Sequence, residues 1–416
     1  MKKLLIIFLL ISCKPNAQTD LNKLDIHAWS EDLDYLTSKI NNRFAGFSPE
    51  SKIKFNTEAM KVRTELPSLS TNQKILSFTR LLALLDDGHT EISIVGPGSG
   101  FHRLPLQLYY FGKELRIVGI DKRFDSFLGT KLIRIGNRPT DEIFDNLKPY
   151  INVENDVEYP TTVPNWMVIP EILHQVGCIS QLDSARITVQ NDEGQETEIV
   201  LNTISLKEYN STSYTKLYPQ PPLYLEKREK GYWYTYLPDS DLFYINIRTL
   251  FNHEGDLSIK KFMKNVVDEM NARNSKKVVI DLRQCRGGNY NHILPLLEAI
   301  KKNKSINRKG QLFVINGRLT FSAAAVATLF FKDQTQATIV GEVCRARPNW
   351  AENMEAYTLP HSRLDFDCTE KLKVHSPALG TADKIPVDVH IPRSFDHYKS
   401  GRDEVMEYII GLKRQD

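Results

Sequence analysis

Ser322 lies in the stretch Leu319-Thr-Phe-Ser322-Ala-Ala-Ala325, with a further alanine at Ala327. The apolar run predicts a helix over 322–331, which puts the serine in its first turn. A hydroxyl there is exposed. The next amide, Ala323 N–H, is one of the unpaired donors of a helix start, and the positive end of the helix dipole lies behind it. These groups suit a nucleophile with an anion held beside it. The bland alternative is an ordinary serine N-cap, the commonest use of serine at that place. A second candidate is Asp281-Leu-Arg-Gln-Cys-Arg-Gly287-Gly288-Asn289, directly after a buried-type strand. Paired glycines open backbone angles closed to other residues. Gly287 or Gly288 can then turn an N–H into a cleft as a second oxyanion donor; otherwise they form only a tight turn. A serine nucleophile also needs a base. Of ten histidines, His89 stands on the glycine-bearing turn Asp86-Asp87-Gly88-His89-Thr90. There it can project into a cleft between domains, or lie on the surface at a helix end. An imidazole, with an unperturbed pKa near 6.5, suits a base at neutral pH.

Three textures position these residues. From about Gln18 to Asp87 the chain reads as helical, with Trp29, Leu33, Leu36 and Ile40 on one face of a helix over 25–42. A weaker helix follows over 52–65, then a strong apolar stripe over 72–85 with Ser70 as its cap. From Glu91 to about Ser205, short β-prone runs alternate with turn signals such as Gly136-Asn-Arg-Pro139 and Asn191-Asp-Glu-Gly194, around one helix over 140–147. From Leu242, continuous apolar strands (242–247, 277–281, 312–315, 337–340) alternate with helices (257–271, 292–302, 322–331), the pattern of a layered α/β domain. Both the Gly287-Gly288 loop and the Ser322 segment follow strands of that part, where open α/β sheets place their sites. The boundaries are 1–20 for an exported leader and tether, 21–97 helical, 98–205 mostly β and 206–416 α/β.

The leader has a basic start, Met1-Lys-Lys3, an apolar run from Leu4 to Ile11 too short to span a bilayer, and then Ser12-Cys13. This order resembles the lipobox of bacterial lipoproteins. The resemblance implies a cleaved signal peptide, lipidation of Cys13 and a membrane-anchored protein of the bacterial cell envelope. Acyl chains would attach it, since the net charge is only +3. No Lys/Arg block gives a nucleic-acid footprint. The remaining cysteines, Cys178, Cys285, Cys344 and Cys368, form no CxxC pair. They suit a disulfide in an oxidising compartment or four buried thiols equally well. The histidines are scattered without metal-ligand spacing, and no cofactor motif is present.

Asp87-Gly-His89-Thr, Val279-Ile-Asp281-Leu-Arg283 with Gly287-Gly288, Leu319-Thr-Phe-Ser322-Ala-Ala-Ala, Ile339-Val-Gly341-Glu342 and the final Gly401-Arg-Asp403-Glu-Val-Met-Glu407 resemble, in type and order, the S41 peptidases. These are the C-terminal processing (tail-specific) proteases, with the tricorn core protease and the interphotoreceptor retinoid-binding protein as relatives. The resemblance runs from about residue 25 to the C-terminus. It implies a ClpP/crotonase-like α/β core with an N-terminal helical domain and an inserted, mostly β PDZ-like module. The strand-turn of that module resembles Gly129–Pro139, and strand addition there would capture a peptide C-terminus. The implied activity is that of a serine endopeptidase acting through a Ser322 acyl-enzyme on peptide or protein substrates.

The chain departs from the processing proteases at two places. Their base is a lysine after the Gly-Glu pair, and counting forward from Gly341-Glu342 places Arg347 there. Arginine stays protonated and cannot be a general base. Their glutamate three residues after the serine is Ala325 here. The tricorn-like branch instead uses a histidine from the helical part, which His89 matches, with an acidic partner from near the C-terminus. Asp383, before an expected strand over 385–389, is the first choice for that acid, with Glu352 and Asp388 next. Asp281 and Arg283 read as a charge pair shaping their loop. The rival readings are a non-catalytic protein of this fold that binds a peptide or apolar ligand, and an esterase.

Overall fold

The computed structural model describes residues 19–273 and 275–412. The expected signal segment and Cys13 lie outside the described residues. The chain opens with three helices, α1 (Ile26–Arg43), α2 (Pro49–Glu65) and α3 (Thr71–Ala83). Asp25, Ser48 and Ser70 cap them, each accepting a hydrogen bond from a backbone N–H of the first turn. The face of α1 carrying Trp29, Leu33, Leu36 and Ile40 is buried, as its spacing predicts.

Next come strands β1 (Leu106–Phe111), β2 (Glu114–Ile120), β3 (Lys131–Ile135) and β4 (Arg138–Pro139), then helices α4 (Thr140–Leu147), α5 (Glu158–Trp166) and α6 (Pro170–Gln175). Strands β5 (Ser184–Gln190) and β6 (Glu196–Asn202) follow, and then the short helix α7 (Leu206–Ser211). The strands form one antiparallel sheet in the order β1-β2-β3-β5-β6, with β4 paired to β3. This is the segment in which the sequence predicts a mostly β module. It shares one continuous hydrophobic core with α1–α3, from Leu21 through Leu201.

The remainder is layered α/β. Strands β7 (Tyr232–Leu237), β8 (Leu242–Ile247), β9 (Lys277–Asp281), β10 (Leu312–Asn316) and β11 (Thr338–Gly341) alternate with helices α8 (Ile259–Arg273), α9 (Leu294–Lys302) and α10 (Ala323–Gln334). Every residue of β8 and β10 is buried, which explains why, Asn246 and Asn316 apart, their sequence is apolar. Helices α8–α10 cover one face. A hairpin, β12 (Ala351–Thr358) and β13 (Asp365–Leu372), interrupts the α/β part, and its Leu359, Leu364, Phe366 and Cys368 join the core of the helical part. The sheet closes with β14 (Val389–His390), in the order β14-β11-β10-β9-β8-β7, parallel except for β7. Helix α11 (Phe395–Ser400) precedes α12 (Glu404–Gly411), whose Val405, Met406 and Ile409 cover the second face. Of the expected strand over 385–389, only Val389 lies in a strand, as the first residue of β14. Among the described residues no helix is long and apolar enough to cross a membrane.

Candidate active site

Ser322 occupies the N-cap position of α10 but is not a cap. Its backbone sits at φ 52°, ψ −128°, and its side chain makes no capping hydrogen bond. Ser48 and Ser70 at the starts of α2 and α3 are extended, at φ −86° and −66°, and do cap. A non-glycine residue in this conformation costs about 1–3 kcal/mol and persists only where its surroundings hold it there. Those surroundings are visible. Phe321 N–H donates to Cys285 O at 3.1 Å. The Thr320 hydroxyl donates to Leu282 O at 2.8 Å and accepts from Gly317 N–H at 3.0 Å. Behind the serine, Ala324 and Ala327 are fully buried, so small side chains let α10 lie close to the sheet.

The loop after β9 passes directly beside the serine. Gly287, at φ +123°, approaches so closely that a Cβ there would stand 2.8 Å from Ser322 Cβ and 3.2 Å from its Oγ. Gly288 has φ +133°. Leu250 fixes both: its N–H donates to Gly287 O at 2.8 Å and its carbonyl accepts from Asn289 N–H at 3.1 Å. Among the described residues, the N–H groups of Gly287, Gly288 and Ala323 have no acceptor. The three expected oxyanion donors are therefore all unspent, two of them on a loop in contact with the nucleophile. Asp281 and Arg283 shape that loop as the sequence indicates. Arg283 pairs with Asp281 and with Asp403, each at 2.9 Å.

His89 follows α3 on a turn nailed down from several sides. The buried Asp87 carboxylate accepts from His89 N–H at 3.2 Å and from Trp350 Nε1 at 2.8 Å. The Thr90 hydroxyl donates to Asp87 and accepts from Thr369 N–H of β13. The His89 ring stacks on Phe321, the residue before the nucleophile, with centroids 4.3 Å apart. The Arg345 guanidinium also packs on Phe321, at 4.3 Å. Among the described residues no hydrogen bond joins Ser322 to His89. Such bonds often tighten only once substrate is bound.

The acid was the part that sequence reasoning missed. The carboxylate against His89 is Glu154, whose Oε1 lies 2.5 Å from Nδ1. Asp383 meets this region only through its main-chain carbonyl, which accepts from Asn155 Nδ2 at 3.1 Å. Glu352 accepts from the Tyr290 hydroxyl at 3.1 Å, and Asp388 pairs with Lys332 at 3.0 Å. Glu154 comes from the strap before α5. Asn152 anchors that strap to Thr90 O, and Asn155 anchors it to the carbonyls of Cys344 and Asp383. Arg347, where the resemblance leads one to expect a lysine, clamps the same strap. Its N–H donates to Glu154 Oε2 at 2.8 Å and its Nε to Glu154 O at 2.5 Å. The only local signal was a group of polar residues, Asn152, Glu154, Asn155 and Glu158, all buried in the fold.

Burial by itself lowers the His89 pKa, but the charge and hydrogen bond of Glu154, helped by Asp87, outweigh it. The result is a pKa above the ordinary 6.5. Nδ1 is committed to Glu154, which leaves Nε2 as the ring nitrogen open to exchange a proton. Asp87, His89 and Glu154 bring three ligand-type atoms within 4.8 Å of one another. The 2.5 Å between Nδ1 and Glu154 Oε1 is shorter than the roughly 3.3 Å that two ligands of a tetrahedral zinc keep, so it suits a shared proton better than a shared ion. The four described cysteines are free and buried. Burial pushes the Cys285 thiol up to about 12 and Cys344 to about 11.

The class that the fold defines is a parallel, layered α/β core with helical and antiparallel β additions and an uncapped, strained serine at a helix start. Solved structures share this fold. Mature CPAF superposes with a TM-score of 0.65 over 92% of this chain and 96% of its own, at 12% identity. A serine-to-alanine mutant of CPAF gives 0.65 over 94% and 99%, at 11% identity. Mature CPAF complexed with lactacystin gives 0.64 over 92% and 97%, at 10% identity. No protein-family model matches the sequence, and no curated protein matches it.

Proposed function

We propose that this chain is a serine-type peptidase of the S41 kind, acting through Ser322, His89 and Glu154. The observation that carries the reading is the backbone of Ser322. A serine that merely began α10 would be extended and would cap it, as Ser48 and Ser70 do for their helices. Ser322 is instead held at φ 52° without a cap, its side chain against Gly287. The likeness of fold to CPAF, solved both as a serine-to-alanine mutant and with lactacystin bound, supports the same reading.

In the proposed reaction, neutral His89 takes the Ser322 proton on Nε2 as Oγ attacks a peptide carbonyl. The N–H groups of Ala323 and of Gly287 or Gly288 hold the oxyanion. Glu154 keeps Nδ1 protonated and stabilises the imidazolium. His89 then gives the proton to the leaving amine, and water, activated by the same base, hydrolyses the acyl-enzyme. Arg347 serves as a positioning residue through Glu154, and no lysine base is needed.

Fluorophosphonate labelling of the purified protein tests this. Labelling of wild type that is lost in Ser322→Ala and falls at least about a hundredfold in rate in His89→Ala supports the site. Folded wild type that resists the probe at every pH would sink the reading in favour of a binding protein, and cleavage of esters but never of peptides would turn it to an esterase. The proposal includes export and lipidation at Cys13. Cys13→Ser should move the protein out of the membrane fraction of cells, and retention there would refute the anchor.

A further inference from the structure

A second feature of the α/β part is not used by the proposed reaction. At the carboxyl ends of β9, β10 and β11 lies a cavity of about 240 Å³. One wall is Gly317-Arg318-Leu319, the segment running into the nucleophile, and another is Arg286, the neighbour of Gly287. The cavity is thus built on the same two loops as the proposed oxyanion site. Leu108, Pro160, Pro164 and Ile391 give it apolar surface.

The charges in its lining divide into those already paired and those that are not. Arg283 is paired with Asp281 and Asp403. Arg318 is paired with Glu342 at 2.8 Å. Glu404 accepts from the N–H and hydroxyl of Ser394 at 2.8 and 2.9 Å, with His397 Nδ1 3.4 Å away. Arg393 and Arg286 form no ion pair among the described residues. Arg393 is fixed instead by aromatic rings: Tyr109, Tyr224 and Tyr398 lie 4.9, 5.2 and 5.6 Å from its guanidinium, and Nη2 donates to the Tyr224 hydroxyl. Such a cage orients a guanidinium without cancelling its charge. A caged, unneutralised arginine facing a cavity is a preformed partner for a planar anion, because its fork matches a carboxylate.

We propose that this cavity binds a carboxylate of the peptide substrate, with Arg393 and Arg286 as the specificity-determining residues. The carboxylate is an acidic side chain near the scissile bond, its methylenes against the apolar walls. The proposal rests on the peptidase reading for its ligand class but not for its test.

The test uses fluorescein-labelled decapeptide pools that carry Glu or Gln at one fixed position in turn, each made as the free acid and as the amide. Binding is followed by fluorescence anisotropy and cleavage is followed separately. The expected result is roughly tenfold tighter binding of the Glu member than of the Gln member at one position, the order expected of a charge-assisted hydrogen bond. A Glu-over-Gln preference in both the acid and the amide forms supports the side-chain subsite, and an acid-over-amide preference alone overturns it. In Arg393→Gln the preference should fall to about threefold or less. If that variant does not fold, the exposed Arg286→Gln should show the smaller preference instead. Equal binding of all pools by wild type overturns the proposal, as does a preference that survives in both folded variants. Charge-dependent binding without cleavage leaves the subsite standing and sinks the peptidase reading. Cleavage without charge preference does the reverse.

Discussion

Replacing Glu154 by glutamine keeps the volume at the site and removes the charge that faces His89. Two unit charges 2.5 Å apart interact by roughly 7 kcal/mol at an effective dielectric near 20. This gross term is opposed by the cost of burying the imidazolium, and the net result is a His89 pKa above 6.5. Without Glu154, burial would be opposed mainly by Asp87, whose carboxylate is 3.9 Å from Nδ1. The His89 pKa should then fall. In the proposed reaction His89 acts in its neutral form, so wild-type kcat/KM should rise as pH climbs through a pKa above 6.5. In Glu154→Gln that acid limb should move to lower pH. The plateau should drop by about 10²–10⁴-fold, because the imidazolium loses its counter-charge and the ring its orientation. A pH–rate profile with a fluorogenic peptide, or with fluorophosphonate labelling rates, reads both quantities. An unmoved acid limb with a plateau within about threefold of wild type would refute the reasoning.

The same shift has a consequence for stability that needs no activity. A histidine whose folded pKa is raised contributes stability that is fully present below its unfolded pKa, and this is lost as pH rises through the folded value. The melting temperature of wild type relative to Glu154→Gln should therefore decline from about pH 6.5 upward. A constant difference across that range would mean that Glu154 does not hold the His89 proton.

Ser322→Gly should abolish labelling yet raise stability by about 1 kcal/mol in chemical denaturation, since glycine accepts φ 52° without strain; a loss of stability would refute stored strain there. Gly287→Ala places a methyl 2.8 Å from Ser322 Cβ and should lower kcat/KM by about 10²–10³-fold with an unchanged circular dichroism spectrum. Arg347→Lys should not restore labelling to His89→Ala, and a labelled double variant would show that a lysine at this position can act as the base.

Much of the fold could be read from local pattern. The helix over 140–147 and the strand over 277–281 form with the expected bounds, and Ser70 caps α3 as expected. These elements are set by periodicity, caps and runs of buried residues, which are written in neighbouring positions. The β12–β13 hairpin was not legible. Its residues alternate weakly, and what makes it a hairpin is its packing on the helical core through Leu364 and Phe366, far away in sequence. The shared core of the helical and β segments escaped a reading by texture for the same reason. Ser322, Gly287 and His89 could be singled out because serine at a helix start, paired glycines after a strand and histidine on a glycine turn each carry a local signature. The strain at Ser322 could not be foreseen, because it depends on Thr320 and Phe321 being tied to the loop after β9.

Glu154 and Arg347 show why the acid could not be found by counting along the chain. Arginine cannot act as a base, and its Nε is spent on the Glu154 carbonyl, with the guanidinium 4.8 Å from the Trp350 ring. Trp350 in turn donates to Asp87, which holds the His89 turn. Arg347 thus supports both the Glu154 carboxylate and the His89 turn. The change at 347 and the buried Glu154–His89 pair form one connected arrangement, although 193 residues separate Glu154 from Arg347. Any exchange at 347 should therefore be felt at His89, in its acid limb, before it is felt at Ser322. Strain at the serine is set by the loops after β9 and β10, and Arg347 touches neither through a hydrogen bond among the described residues.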